Sequence, residues 1–556
     1  MWFAASILAS EPAAAQSSPL TPEALVAYIT RTARAWEPYT LADGHVLDPL
    51  RPSDSGDNYG VIMLADVLLE AAARDGDPTL AETAQRIVAG ASTLPTVTGP
   101  FNLVALATLL RQGLAGAFPA AAWPEISGPV TALAARAASE PVVGCLADPG
   151  CYSNWRLVWS AGAGALLASD QSAGATRGRA EIRANLAMAV THAGALVTAT
   201  PNEGAARELS DPGSEPPSYH LFSCALLEQI AEADPAAVSP AVERLRSEAD
   251  RYALEMMAPD GQLSFAGRSL DQSWVQAAAA DLGARRALAD PTHAAQWRSF
   301  ADRAFSYLES TYPARPDGIV PVVPGLAVEW NQGIMDSYAG LDQYQGLTLW
   351  FLSDALAHWP EPNAPRAPIP ADAPLLVNDL GSSGLVWGRS GNVWWEVSGR
   401  PTGGDRRSDE GLVAVKVRTA AGWRDLIALR PRQGLSTAWT LKLTGGQTAS
   451  PVFASVRGSG QRAVLTGTYR ASSGKPLARV VWPVRTTGSG VQITVTKPPG
   501  ARLGTTVWLA DSDPRLSAKA ARLQPGSCVV TASGRACATT VSWDAGPSTA
   551  VIDLHR

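Results

Sequence analysis

Histidine and cysteine are scarce in this chain, with six and five among 556 residues. Neither close cysteine pair, Cys145/Cys151 or Cys528/Cys537, has a second pair at metal-ligand spacing nearby, which excludes the common zinc frameworks. Charge is sparse as well: Asp, Glu, Lys and Arg make up 17% of the residues, the net charge is −6, and no basic block occurs. Nucleic acid is therefore not an expected partner. No apolar run reaches the ~20 residues that cross a bilayer, so no membrane association is expected. A fixed-period repeat of the tetratricopeptide or ankyrin kind is also missing. What remains is a chain 46% hydrophobic, too apolar for disorder and too long for one core. Two or more globular domains are expected.

The first residues are small and apolar. Met1 to Gln16, ending in Ala13-Ala14-Ala15-Gln16, resembles the later part of a secretory signal, although it has no basic n-region. Residues 1–16 are read as a signal remnant and the protein as secreted or periplasmic. The cysteines agree: two close pairs read as local disulfides, the second across a hairpin turn at Thr531-Ala532-Ser533-Gly534, with Cys224 left as a buried thiol. Tryptophan is over-used, with 18 against 11 Tyr and 9 Phe. Such an excess accompanies sugar stacking, although most Trp side chains are core.

Residues 20–359 carry apolar positions at helical spacing, as in Leu25-Val26-Tyr28-Ile29-Ala33-Trp36 and Leu347-Leu349-Trp350-Leu352-Leu356. About ten helices follow one another, separated by Gly/Pro/Asp loops. Paired helices in such number form an open solenoid or a closed ring. Loops of unequal length and chemistry favour an (α/α) toroid, complete or partial. A Pro-rich stretch, residues 360–372, reads as a stiff linker. Beyond it, residues 373–556 hold alternating β-branched runs such as Leu412–Val417 and Val491–Val495, which predict an antiparallel β-sandwich.

Polar motifs interrupt the helical half. Ser214-Glu215-Pro216-Pro217-Ser218-Tyr219-His220 turns from a polar loop into an apolar helix, with Ser218 a candidate N-cap. Gly261 to Ser269 contains Gly267-Arg268-Ser269, where glycine permits close backbone approach. Asn154 opens another helix beside the Cys145/Cys151 pair. Glu329-Trp330-Asn331, Tyr338 and Tyr344 form a polar, aromatic patch before the last helix. Each residue alone is more often structural: a Tyr-His pair that packs and caps, an Asn that caps, an Arg on a surface. Together they suit β-elimination from a uronic acid. Asn154 and Arg268 would stabilise charge on the carboxylate, and Tyr219 or His220 would take the C5 proton. A cationic neighbour such as Arg268 is what makes a tyrosine a usable base. Glu329 would hold Arg268 or His220. Trp155, Arg156, Gln272, Trp330, Asn331, Tyr338 and Tyr344 are candidate substrate-binding residues.

This arrangement resembles the polysaccharide lyases that join an (α/α) toroid to antiparallel β domains, of the chondroitin, hyaluronan, xanthan and heparinase-like kinds. In them an Asn, a His, a Tyr, an Arg and a Glu recur in order through the toroid, and Asn154, His220, Arg268 and Glu329 fall in that order here. The approach Asp211-Pro212-Gly213-Ser214 differs from the family's Asp-Gly-Ser by Pro212. The stretch Leu221–Ile230, where the chondroitin type carries its tyrosine, has none. Tyr219, Tyr338 and Tyr344 are therefore all open as the catalytic tyrosine. The resemblance implies an acidic polysaccharide substrate, a monomer, and no cofactor beyond a structural calcium.

Two other readings stand beside the lyase. A glycoside hydrolase on the same ring needs two carboxylates, with Glu203, Glu208, Asp211, Glu215, Asp271, Glu329 and Asp336 as candidates. A non-catalytic glycan-binding protein would use Trp394-Trp395.

Overall fold

The computed structural model describes residues 21–54, 59–91, 99–139, 153–169, 178–199, 217–263, 265, 269, 271–325, 340–379, 384–399, 411–428, 439–443, 445–471, 473–510, 514–532, 534–544 and 549–556. Among them are twelve α-helices: α1 Pro22–Arg34, α2 Tyr59–Asp75, α3 Pro78–Ala91, α4 Gly99–Leu114, α5 Trp123–Ser139, α6 Ser153–Ala168, α7 Gly178–Ala199, α8 Pro217–Ala233, α9 Pro240–Met256, α10 Ser273–Ala289, α11 Ala294–Thr311 and α12 Leu341–Ala357.

Every second helix belongs to an inner ring. α2 packs on α4, α4 on α6, α6 on α8, α8 on α10, α10 on α12, and α12 returns to α2. The odd-numbered helices line the outside, each against one or two inner neighbours. The toroid is thus complete, with six helix pairs. Sequence pattern explains the division. Outer α1 buries one stripe, Leu25, Tyr28, Ile29, Thr32 and Ala33, and exposes the rest. Inner α10 buries every residue from Ser273 to Ala287, because it has neighbours on all sides. Small residues let the inner helices approach closely. A Cβ on Gly346 of α12 would lie 2.0 Å from the Gly60 carbonyl oxygen of α2, and one on Gly60 would lie 2.4 Å from the Gln343 Cα.

Residues 360–372 do more than link. Gln296 and Arg298 of α11 donate to the Pro368 and Pro365 carbonyls, Arg366 pairs with Asp302 at 2.8 Å, and Arg303 pairs with Asp372 at 2.6 Å. The stretch is a belt bound to the outer helix α11.

Beyond a two-residue and four-residue hairpin, β1 Leu47–Asp48 and β2 Arg51–Asp54, all strands lie after the belt. Strands β3 Leu375–Asp379, β4 Leu385–Ser390, β5 Val393–Ser398, β6 Gly411–Thr419 and β7 Gly422–Asp425 form an antiparallel meander. Strands β8 Thr440–Lys442, β9 Thr448–Gly458, β10 Arg462–Arg470, β11 Pro476–Thr486, β12 Gly490–Thr496, β13 Arg502–Ala510, β14 Arg515–Lys519, β15 Arg522–Thr531, β16 Gly534–Trp543 and β17 Thr549–His555 form a ten-stranded antiparallel sheet. Its order is β14-β17-β12-β11-β10-β9-β8-β13-β16-β15. The two sheets share a core that includes Val386, Trp395, Val415, Phe453, Leu465 and Trp482, so the expected sandwich is present.

The small sheet is covered on both faces. Leu385, Trp387, Trp394 and Ala414 join the helical core, while Val386, Trp395 and Val415 face the sandwich. Trp394 and Trp395 are therefore wall residues, 1% and 0% exposed, and cannot stack on a sugar. Cys528 and Cys537 are bonded across the β15–β16 hairpin, and Cys224 is a free buried thiol, as the spacing predicts. Cys145 and Cys151 lie outside the described residues. No described helix is long and apolar enough to cross a membrane.

Candidate functional site

Each inner helix contributes an aromatic side chain from its first turn: Tyr59 from α2, Phe101 from α4, Trp155 from α6, Tyr219 from α8, Trp274 from α10 and Tyr344 from α12. Their rings form a chain of contacts. Tyr59 stacks on Phe101 at 4.4 Å between centroids, and Phe101 meets Trp155 edge-on at 6.3 Å. Phe222, one turn into α8, bridges Phe101 at 6.1 Å and Trp274 at 5.5 Å. Trp274 also meets Tyr219 at 5.9 Å and Tyr344 at 6.3 Å. The six N-termini therefore gather at one end of the ring, around an aromatic collar. Their aligned dipoles make that end favourable to anions.

Of the residues expected from sequence, Asn154, Trp155, Arg156, Tyr219, His220, Gln272 and Tyr344 lie among those described. Arg268, Glu329, Trp330, Asn331 and Tyr338 lie outside them, as do Glu203, Glu208, Asp211, Glu215 and Asp336. Trp155, Tyr219 and Tyr344 are in the collar. Asn154, 4% exposed, precedes Trp155 and accepts that residue's N–H at 2.9 Å. Arg156 is fully buried on α6. Gln272, just before α10, accepts the Trp274 indole N–H at 2.6 Å and so orients a collar ring.

His220 faces elsewhere. With Cys224 and Glu228 it forms a stripe at i, i+4 and i+8 along α8, turned toward the outer helix α9. Its Nε2 lies 2.9 Å from the Ala249 carbonyl oxygen, its ring meets Tyr252 edge-on at 4.9 Å, and it is 2% exposed. Burial holds its pKa down to about 4, against the small opposing effect of the Ala249 carbonyl. The neutral ring donates from Nε2. For this residue the structure shows the packing role that is the ordinary fate of a Tyr-His pair. Ser218 differs too: α8 begins at Pro217, and the Ser218 hydroxyl donates to the Ser269 carbonyl at 2.9 Å instead of capping the helix.

The second motif is clamped at its C-terminal side. Ser269 and Asp271 hold left-handed backbone, φ 59° and 46°, which costs a non-glycine residue energy unless its surroundings enforce it. Here they do. Tyr312 donates to the Asp271 carbonyl at 2.9 Å and Tyr307 to its carboxyl at 3.3 Å. Ser269 Oγ lies 3.5 Å from the Tyr219 hydroxyl. Close by, Lys416 of β6 reaches out of the sheet, fully buried, with Nζ 2.6 Å from both Asp260 and Asp425. Phe265 packs on Trp394 at 4.9 Å, and Lys416 lies over the Phe265 and Tyr307 rings. Burial, opposed by Lys416 and reinforced by Asp425 and Asp260, pushes the Asp271 carboxyl up to about 8. Glu396 of β5 is raised well above its ordinary value by burial. Sequence reading missed this cluster because a lysine inside a strand pattern looks like a solvent position.

A second polar group lies further along the inner helices, away from the collar. Arg285 of α10 binds Asp281, Asp354 and Glu232, and Gln229 donates to Asp354 at 2.9 Å. Asp281, Asp354 and His358 offer donor atoms within 4.8 Å of one another, a spacing that would admit a cation. Arg285, Gln229 and Glu232 already engage those donors, so the group reads as an ion-pair network.

No family model matches the sequence, and no curated protein matches it. Among solved structures the chain is similar to a heparinase III, with a TM-score of 0.49 and 10% identity over 97% of this chain and 86% of that one. It is also similar to a family 88 glycosyl hydrolase from Bacteroides vulgatus (TM-score 0.42, 12% identity, 61% and 100% covered). A D-mannose isomerase is similar to the same degree, with a TM-score of 0.42 and 11% identity over 61% of this chain and 98% of that one. Likeness this distant carries nothing about the chemistry of the chain, and the closed ring stands on its own helix contacts.

Proposed function

We propose that this chain is a glycan-degrading enzyme acting at the collar end of the toroid, and that it cleaves a uronic-acid-containing polysaccharide by β-elimination. The observation that supports this is the place of Tyr219. It is a first-turn tyrosine in the collar, its hydroxyl beside Ser269 Oγ, on the inner helix next to the one that Asn154 opens. Trp155, the half-buried ring of the collar, can offer a face to a sugar, and helix N-termini suit a carboxylate. In this reading Tyr219 takes the C5 proton, Asn154 with Arg268 stabilises the carboxylate as charge builds on it, and as the C4–C5 double bond forms and the C4–O bond breaks Tyr219 returns the proton to the leaving oxygen. Glu329 remains a proposed partner of Arg268. His220 acts from behind, fixing the start of α8 against α9. The Cys528–Cys537 bridge supports residence in an oxidising compartment.

One observation favours a hydrolase instead. Asp48 and Asp342 converge on Gly340, where a Cβ would lie 3.3 Å and 2.1 Å from their carboxylate oxygens. Asp48, however, accepts the Leu341 and Leu50 N–H groups and so caps α12. A screen of uronate polymers, read at the ultraviolet band of the unsaturated uronate, separates the two. The lyase reading expects that band to rise with cleavage. Reducing ends without it sink the lyase and leave the hydrolase.

A further inference from the structure

We propose that Lys416, a residue of the β-sheet wall, is a positioning residue for the toroid's site, acting through Asp260 and the Ser269–Asp271 turn on the Tyr219 hydroxyl. The identity of Tyr219 as the acting group rests on the reading above; the mechanical coupling does not.

The described residues along the path are Lys416, Asp260, Phe265, Ser269 and Asp271. The ammonium group is shared at 2.6 Å between Asp425, on the neighbouring strand β7, and Asp260, in the connection from α9 to α10. One end of that connection is thereby tied to the sheet. Phe265, between Asp260 and the turn, is pressed on Trp394 of β5. At the other end the chain takes two left-handed residues, Ser269 and Asp271, which only tight surroundings maintain. Ser269 touches α8 twice, through its carbonyl to Ser218 and through Oγ to the Tyr219 hydroxyl. Asp271 leads directly into Gln272, which holds the Trp274 indole, and Trp274 packs on Tyr219. The collar tyrosine is thus held by a segment whose own anchor is in another domain.

The charge pattern points the same way. Lys416 is surrounded by four buried or half-buried carboxyls, Asp260, Asp425, Asp271 and Glu396, and by the hydroxyls of Tyr307 and Tyr312 close to Asp271. Lys416 lowers the carboxyl pKa of both Asp271 and Glu396, against the burial that raises them. Removing it would leave Asp260 and Asp425 without the cation they share and would untie the Asp260 end of the segment from the sheet.

The test uses the full chain with Lys416→Met, Lys416→Arg and Asp260→Asn. Hydrogen exchange is followed at the amides of residues 271–276 and, as internal reference, those of α2. Initial rates are measured on heparan sulfate, hyaluronan and alginate. Lys416→Met is expected to speed exchange at 271–276 at least about tenfold with α2 unchanged, and to lower the rate at saturating polymer with half-saturation moved less than about twofold. Lys416→Arg, which keeps the charge, should recover most of both. Asp260→Asn should repeat the Lys416→Met exchange pattern and stands in if that variant does not fold. If exchange at 271–276 is unchanged in both Lys416→Met and Asp260→Asn, the positioning role is overturned. If exchange rises as expected but wild-type protein cleaves none of the polymers, the coupling stands and the lyase reading fails.

Discussion

Asp271→Asn gives the sharpest check on the buried electrostatics. The ordinary carboxyl value of 3.8 is pushed up to about 8 in the folded chain, chiefly by burial. Between those two values the native state holds a proton that the unfolded state has released. Stability must therefore fall as pH rises from about 4 to about 8 and level off above, by about 1.4 kcal/mol per pH unit for a full proton. Asn removes the titration while keeping the shape. It also tolerates the left-handed backbone at this position, φ 46°, and its side-chain oxygen can still accept from Tyr307. Other raised carboxyls, Asp66, Asp250, Asp281 and Glu396, give the wild type slopes of the same sign, so the difference between the two proteins is what matters. Urea unfolding of both proteins should show the variant gaining at least about 1 kcal/mol per pH unit relative to wild type between about pH 5 and pH 8, and being the more stable at the upper end. Parallel curves across that range would refute the assignment of a buried, protonated Asp271.

Four further outcomes are expected. Tyr219→Phe should lower turnover on any uronate polymer that the wild type cleaves by about 10²-fold or more, with little change in melting temperature. His220→Ala should instead cost about 2–4 kcal/mol of stability by removing the buried bond to the Ala249 carbonyl and opening a cavity beside Tyr252, read by urea unfolding. Gly346→Ala should destabilise by about 1–3 kcal/mol, because the new methyl would strike the Gly60 carbonyl; a neutral result in thermal unfolding would contradict the close α2–α12 approach. Replacing Cys528 and Cys537 by Ala opens a loop of sequence separation 9 and should cost about 2–3 kcal/mol in the sheet domain, seen as an earlier transition by calorimetry.

Much of the fold was legible in the sequence because burial leaves periodic traces. The one-sided stripe of α1 and the all-round apolarity of α10 already distinguish outer from inner helices. Closure of the ring leaves no such trace, since it depends on α12 meeting α2 through Gly60 and Gly346, nearly three hundred residues apart. The site was legible only in pieces. Trp155, Tyr219 and Tyr344 stood out by their polar neighbours, whereas Tyr59, Phe101 and Trp274 did not. Their shared signal, an aromatic within the first four residues of every second helix, becomes visible only once the helices are counted in pairs. His220 misled because polar flanking residues imitate exposure. The His220-Cys224-Glu228 spacing, which marks a face turned toward a neighbouring helix, was the better guide. Lys416 escaped notice because its partners, Asp260 and Asp425, come from different domains.

The wall sheet has a consequence for how this chain can be divided. The belt at residues 360–372 looks like a natural place to cut, but a fragment ending there would lose the strands that cover Phe265, Tyr252 and the base of the ring. Asp260 would lose its lysine, and the apolar surface opposite Trp387 and Trp394 would be laid bare. The piece that retains a finished surface on the helical side ends after β7, taking the five-stranded meander with it. Even that piece bares Trp395 and Val415 toward the missing sandwich partner. Helices and strands here are separable on paper by composition, yet the smallest stretch of polypeptide with no raw apolar face is the pair together.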